Sequence, residues 1–265
     1  MAENTVNLNL MTFNIRTIAR SDTGVRAWDN RKAAVVKYLN ESNASVILMQ
    51  EVKKAQFEYI SENISDTYEV LRFPNASDEN AGGVAVAYDK EIFDLVEEKR
   101  FWLIETPDIE SMGWDAAYKR MCANLLLKHK EKGGILNVFN VHLDNEGEIA
   151  REKGLALVMK KVNETDYPTF VAGDFNTFST SDCYQIIAND MQDCQKTAIE
   201  SDEGLTFHKW GEFDDYSNTP IDFCFASKEN MEPLTFKICR DKWDETNYYS
   251  DHYAVKTTIK VTFAK

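Results

Sequence analysis

No apolar run in this 265-residue chain approaches the roughly 20 residues that a membrane-spanning helix needs. Residues 1–9 carry no basic region followed by an apolar stretch and a cleavage site, so no secretory signal is expected in the chain as it stands. Cysteine is scarce and scattered. Cys122, Cys183, Cys194, Cys224 and Cys239 are odd in number, and no two stand at C-x-x-C spacing. That removes a zinc or redox motif and fits reduced, buried thiols in a cytoplasmic protein. There is no low-complexity segment, Pro/Ser linker or short repeat, so residues 1–265 read as a single domain. A basic cluster is missing too: 30 Lys and Arg face 44 Asp and Glu, and the net charge is −14. The densest basic run, 128–132, contains Glu131. Proteins that hold nucleic acid by its backbone carry a clustered basic patch, so stable binding of long duplex DNA is not expected. A nucleotide or short oligonucleotide stays compatible, because a bound divalent cation reverses the local field.

What the chain does have is core material: 43% apolar residues, with 15 Phe, 11 Tyr and 5 Trp. Residues 7–15 alternate apolar and polar side chains, the period of a strand. Trp28, Val35, Val36 and Leu39 share one face of a helix over 28–39. Residues 45–49 form a short apolar run suited to a buried strand, followed by a helix over 54–64. Strands are expected at 83–88, 123–128 and 135–143, the last two joined by a hairpin turn at 131–134. A helix over 146–163, a strand at 168–172, a helix at 181–189 and strands at 221–226 and 253–263 complete the pattern. The class is α/β with more than one layer. Long stretches at 102–119, 196–219 and 241–250 break it, and loops of that length are commonly functional. Their Trp102, Trp114, Trp210 and Trp243 suit either packing or stacking on a base or sugar.

The strand ends share a chemistry. Apolar runs stop at Asn14, at Gln50-Glu51, at His142, at Asp174-Phe175-Asn176 and at Asp222, and a further polar pair stands at Asp251-His252. In α/β sheets ligands collect where strands end. Taken singly each has a plain reading: Glu51 as a surface residue, Gly173 to Asn176 as a turn, His142 as a satisfied histidine. Taken together they assemble an acidic, histidine-bearing pocket. Hard cations prefer carboxylate oxygen, so Glu51 and Asp251 are candidate ligands for Mg2+ or Mn2+. Asp174 could orient and deprotonate a water, Asn176 could donate to a phosphate oxygen, and His142 and His252 could offset growing negative charge. Asp222 could fix a histidine's tautomer and raise its pKa. His129 and His208 lack such surroundings and are read as structural.

These segments, in this order from residue 11 to 252, resemble the endonuclease/exonuclease/phosphatase superfamily, the DNase I-like fold. The resemblance implies a four-layered α/β sandwich, with two central mixed sheets flanked by helices and the site at one rim. It implies that Asn14 places metal-bound water or phosphate, Glu51 binds Mg2+ and His142 contacts the scissile phosphate. Asp174 and Asn176 would handle the nucleophile and transition state, Asp222 would orient the histidine, and Asp251 with His252 would complete the metal and phosphate shell. The stretch from Phe101 through Gly113-Trp114-Asp115 to Arg120 is similar to a bacterial branch of uncharacterised hydrolases, in which Arg120 would reach the phosphate, a task suited to a planar bidentate donor. Arg16 stands where apurinic endonucleases place an acidic residue, which argues against that activity. The expected function is metal-dependent hydrolysis of a phosphodiester or phosphomonoester by direct attack of water, on a small phosphorylated substrate or short oligonucleotide. The alternatives are a nuclease acting on RNA or single-stranded DNA, and a phosphate-ligand-binding protein without turnover on the same scaffold.

Overall fold

A computed structural model describes residues 4–213 and 219–264, so part of the 196–219 stretch and the start of the 1–9 segment lie outside the described residues. In chain order the elements are β1 (Thr5–Asn14), α1 (Trp28–Glu41), β2 (Val46–Gln50), α2 (Lys54–Ile64), β3 (Tyr68–Pro74), β4 (Gly83–Asp89), β5 (Phe93–Trp102), β6 (Met121–His129) and β7 (Ile135–His142). They continue with α3 (Glu148–Val162), β8 (Thr169–Asp174), α4 (Asp182–Ala188), β9 (Gln192–Asp193), α5 (Cys194–Thr197), β10 (Glu200–Ser201), β11 (Asp222–Ala226), β12 (Met231–Cys239) and β13 (Ala254–Thr262).

The strands form two mixed sheets, one ordered β10-β12-β13-β1-β2-β4-β3 and the other β5-β6-β7-β8-β11-β9. Parallel pairs β1–β2 and β7–β8 lie inside otherwise largely antiparallel sheets. Side chains alternate between the two faces of a strand, so each central strand feeds two cores. Leu8, Leu10, Val46, Leu48, Val84 and Val86 of the first sheet meet Leu125, Leu127, Val138 and Phe170 of the second. The intervening residues point outward. Met11, Phe13, Ile47 and Met49 pack under α1 and α2 through Val35, Leu39, Ile60 and Ile64. Phe139, Val141, Val171, Phe223 and Phe225 pack under α3 and α4 through Leu155, Val158, Tyr184 and Ile187. The result is the expected helix–sheet–sheet–helix sandwich.

Between the sheets, the apolar face turns polar towards one rim. Thr12, Gln50 and Asn140 are all buried at or below 1% exposure. Gln50 Nε2 donates to Thr12 Oγ1 (3.0 Å) and to Asn140 Oδ1 (2.8 Å). Asn140 Nδ2 donates across the interface to the carbonyls of Met49 (3.0 Å) and Ala85 (2.8 Å). This layer stitches the sheets together one step below the rim.

The helices and strands expected from periodicity are present, with bounds shifted by a few residues, whereas β3, β5 and β12 carried no readable signal. Strand β5 is an edge strand whose central residues 94–100 are not buried and include Glu97, Glu98, Lys99 and Arg100, so burial left no alternation to read. Strand β12 contains Pro233 and an irregularity in its register beside it, both expected of an edge-type strand.

Two substitutions test this packing. Asn140→Ala removes the contacts that join the sheets and is expected to cost about 2–4 kcal/mol in urea unfolding, the scale of stranding several buried polar groups. Gly173 has φ +150°, and a Cβ there would lie 1.8 Å from the Val141 carbonyl oxygen on the neighbouring strand. Gly173→Ala is therefore expected to lose about 3 kcal/mol or more by the same measurement.

Candidate active site

The strand faces that carry the inter-sheet core also deliver the polar residues of the rim. Following the two-residue repeat, Leu10 and Thr12 lead to Asn14, Val138 and Asn140 lead to His142, and Phe170 and Ala172 lead to Asp174. Register then sets them side by side: His142 is paired with Asp174 across β7–β8, and Asp222 with Asp174 across β8–β11. Immediately past the strand ends the backbone turns sharply. Arg16 (φ 58°), Glu51 (φ 65°) and Asn176 (φ 48°) all sit in the left-handed region, a rare state for non-glycine residues that is concentrated at functional sites.

Asp174 is the hub. Its Oδ2 accepts from Asn14 Nδ2 (3.0 Å) and its Oδ1 from the Asn176 backbone N–H (2.9 Å). His142 Nε2 lies 3.5 Å and His252 Nε2 3.8 Å from the same Oδ2. The two histidines differ in charge. Burial, the Arg120 guanidinium and His252 push the pKa of His142 well below its usual value. Arg120 Nη1 can only donate, so His142 Nδ1 (3.2 Å away) must accept, which leaves the ring proton on Nε2 facing Asp174. For His252 burial opposes the charge, but Asp222 Oδ2 at 2.9 Å, with Asp174 and Asp251 nearby, outweighs it and raises the pKa to about 10. Burial and the Asp222 charge raise Asp174 to about 7.

The remaining residues expected from the sequence line the same cavity of about 690 Å3, apart from Asn14 and Asp222, which stand behind its wall. Glu51 Oε1 accepts from Asn14 Nδ2 (3.2 Å) and its Oε2 from the Thr17 N–H (2.8 Å). Asp251 is raised by burial, with the nearby Glu51 charge adding to it, and Arg16 Nη1 stands 3.5 Å away. Arg120 is lowered by burial; its Nη2 donates to Asn145 Oδ1 (3.1 Å) and its buried Nε has no hydrogen-bond partner among the described residues. Asn176 lines the cavity while its Nδ2 donates to the Leu143 carbonyl (3.0 Å). Asn14 presents donors to both carboxylates, and its Oδ1 accepts from the Arg16 N–H (3.0 Å), so here it acts as a clamp between Glu51 and Asp174.

Which residues fit a divalent cation follows from the donor chemistry. Asp174, Asp222 and His252 bring ligand atoms within 4.8 Å of one another. Both nitrogens of His252, however, face carboxylates, and the ring is held protonated, so it offers no lone pair. Glu51 and Asp251 are the better fit: two carboxylates that line one cavity and repel one another, as a cation site requires.

Several supporting residues carried no sequence signal. Arg31 of α1 is fully buried and donates to the carbonyls of Ile15 (2.6 Å), Arg16 (2.7 Å), Tyr249 (3.0 Å) and Arg26 (3.0 Å). It thereby ties the turn after β1 to the turn that carries Asp251. Thr206 Oγ1 accepts from the N–H groups of Ile221 and Asp222 (both 3.1 Å), and Phe207 packs on His252 with centroids 4.8 Å apart. Asp144 accepts from the N–H groups of Ala117 (3.3 Å) and Tyr118 (2.9 Å), bracing the approach to Arg120. Among the described residues, the Phe, Tyr and Trp rings of the cavity are those of Tyr118 and Phe207. None of Trp102, Trp114, Trp210 and Trp243 lines it, and Trp210 instead covers Arg31 at 5.6 Å.

Comparison with known proteins places the fold and the family. An endonuclease/exonuclease/phosphatase from Bacteroides vulgatus superposes with a TM-score of 0.90 and is 27% identical, covering 97% of this chain and 99% of that one. A mannosyl-6-phosphatase from Bacteroides thetaiotaomicron superposes with a TM-score of 0.88 at 26% identity, covering 95% and 99%. An uncharacterised protein of Acanthamoeba polyphaga mimivirus is 27% identical over 179 residues, 64% of this chain and 66% of that protein, so the chain spans about two thirds of this relative's length. The model of the Endonuclease/Exonuclease/phosphatase family matches residues 11–252, the span that holds every residue of the cavity, and the chain belongs to that family.

Proposed function

We propose that the chain is a divalent-cation-dependent phosphoesterase that hydrolyses a phosphate ester by direct attack of water. The observation that carries this reading is the environment of Asp174. A buried carboxylate raised to about 7 stands between a neutral and a charged histidine, in one cavity with the carboxylates of Glu51 and Asp251.

Asp174 is the base. Its oxygens are aimed by Asn14 and the Asn176 N–H, and a pKa near 7 suits proton transfer at neutral pH. His252, kept protonated by Asp222, donates to a non-bridging phosphate oxygen as charge builds there. His142 keeps its Nε2–H towards the same spot because Arg120 occupies its Nδ1. Asn176 and Arg120 complete the cradle around the phosphate. Glu51 and Asp251 would hold Mg2+ or Mn2+, which when bound supplies charge to the phosphate oxygens and the departing alkoxide.

The acidic surface, net −14, disfavours long polyanions and favours a compact substrate over extended RNA or DNA. The likeness to a mannosyl-6-phosphatase makes sugar phosphates the first substrates to test. Retention of a complete set of base, histidines and carboxylates supports turnover over mere ligand binding.

Chelation of the purified protein with EDTA is expected to abolish hydrolysis of sugar phosphates, and added Mg2+ or Mn2+ to restore it. Turnover that persists in EDTA would remove the cation from the mechanism. Asp174→Ala is expected to lower kcat by about 10^3-fold or more while the protein stays folded by circular dichroism. Near-normal kcat in that variant would defeat the assignment of the base.

A further inference from the structure

The cleft between the two sheets is bounded on one side by the edge strands β3 and β5, which leave an opening there unless loops close it. Two loops meet at this end, one from each sheet. The 75–82 turn joins β3 to β4, and the 103–120 loop joins β5 to β6. Their bases are tied by the Asn75 backbone and side chain: its carbonyl accepts from Trp102 Nε1 (3.1 Å) and its Oδ1 from the Met121 N–H (3.1 Å). Their tips are tied by Glu110. Its Oε2 accepts from the Ser77 N–H (2.8 Å) and from the Ser77 hydroxyl, and its Oε1 from Lys119 Nζ (2.7 Å). An exposed ion pair alone adds little. Here a backbone N–H and a hydroxyl fix the same carboxylate, so the contact has a defined geometry.

This contact stands between two cavities. Lys119 lines the catalytic one, of about 690 Å3, and Ser77 lines a second of about 550 Å3 on the outer side. Ala76 borders both. The outer cavity is lined by Arg72, Arg100 and Trp102, with Lys54 held by Glu79 (2.6 Å) and Glu58 alongside; its two arginines and its ring are of the sort that would take the next phosphate and base of a nucleotide chain.

We propose that Glu110, bound to Ser77 and Lys119, is a latch that closes this end of the cleft and restricts the enzyme to phosphomonoesters of compact alcohols. The inference rests on the phosphoesterase reading and adds to it a specificity-determining residue outside the catalytic group. Opening the latch would join the two cavities and admit a phosphorylated chain end.

The test compares the wild type with Glu110→Ala and, independently, Ser77→Ala, on p-nitrophenyl phosphate and on a 5′-phosphorylated thymidine tetranucleotide, with Mg2+ and again with Mn2+. Limited proteolysis within 106–112 reports whether the loops have parted. The wild type is expected to prefer the compact ester. In both variants proteolysis should accelerate, and kcat/KM for the tetranucleotide should rise about tenfold, mainly through KM, with p-nitrophenyl phosphate hydrolysis little changed. The latch is overturned if proteolysis is unaltered, if the loops part and the ratio between substrates stays the same, or if the wild type hydrolyses both substrates equally well. Absence of wild-type turnover on either substrate would instead sink the phosphoesterase reading, and the substrate filter with it.

Discussion

The two-residue repeat of the pleated strand is the constraint from which the site follows. On β1, β7 and β8 the side chains that fill the space between the sheets belong to one parity, and the residues that end those strands at the rim share it. Leu8, Leu10, Thr12 and Asn14 stand on one face, as do Leu136, Val138, Asn140 and His142. A register slip of one residue would bring Phe13 and Val141 to the rim and bury Asn14 and His142 under helices. The apolar core therefore fixes the geometry of the rim as well as the fold.

The layer of Thr12, Gln50 and Asn140 lies between these two regimes. Its groups are uncharged and mutually hydrogen-bonded, so they can be buried completely without the desolvation penalty of an ion. The carboxylates of Glu51, Asp174 and Asp251 then line the cavity, while the layer beneath holds the strand ends in place. Arg31 plays the corresponding part on the helical side of the first sheet. It satisfies four carbonyls and places a positive charge behind Asp251, at a cost in burial that lowers its own pKa to about 10.

How much of this could be read from the sequence depended on whether a residue's partner is local. Alternation and helical spacing are local, so β1, α1, β2, α2, β7, α3 and β8 were legible, and the polar residue closing each strand could be picked out. Edge strand β5, half solvated and charged, offered no alternation. Arg31 looks like any charged residue on a helix, because its carbonyl partners come from 26, from 15 and 16, and from 249. Phe207 and Tyr118 were passed over for the tryptophans, since nothing local distinguishes a ring that lines a cavity from one that covers an arginine. The direction of the Asn14 amide, a donor to Glu51 and Asp174, was equally invisible, being set by Arg16 and by two carboxylates from other strands.

Charge balance explains why the arrangement suits a cation and a phosphate together. Glu51, Asp174, Asp222 and Asp251 crowd one rim, opposed by His252, Arg16 and the buried Arg120. These cations are unevenly placed: Arg16 is drawn to Asp22 and Asp251, and His252 to Asp222. Glu51 and Asp251 still repel one another on their side of the cavity, while on the other side the buried Arg120 Nε has no hydrogen-bond acceptor among the described residues. A dipositive ion relieves the first imbalance and an anion the second. On the proposed reading, a phosphate ester bridging the two would lie within reach of Asp174, the group between them whose pKa near 7 allows it to take up a proton. The polarity of the site thus runs from the carboxylate side to the donor side across Asp174, and it is this direction on which the proposed hydrolysis rests.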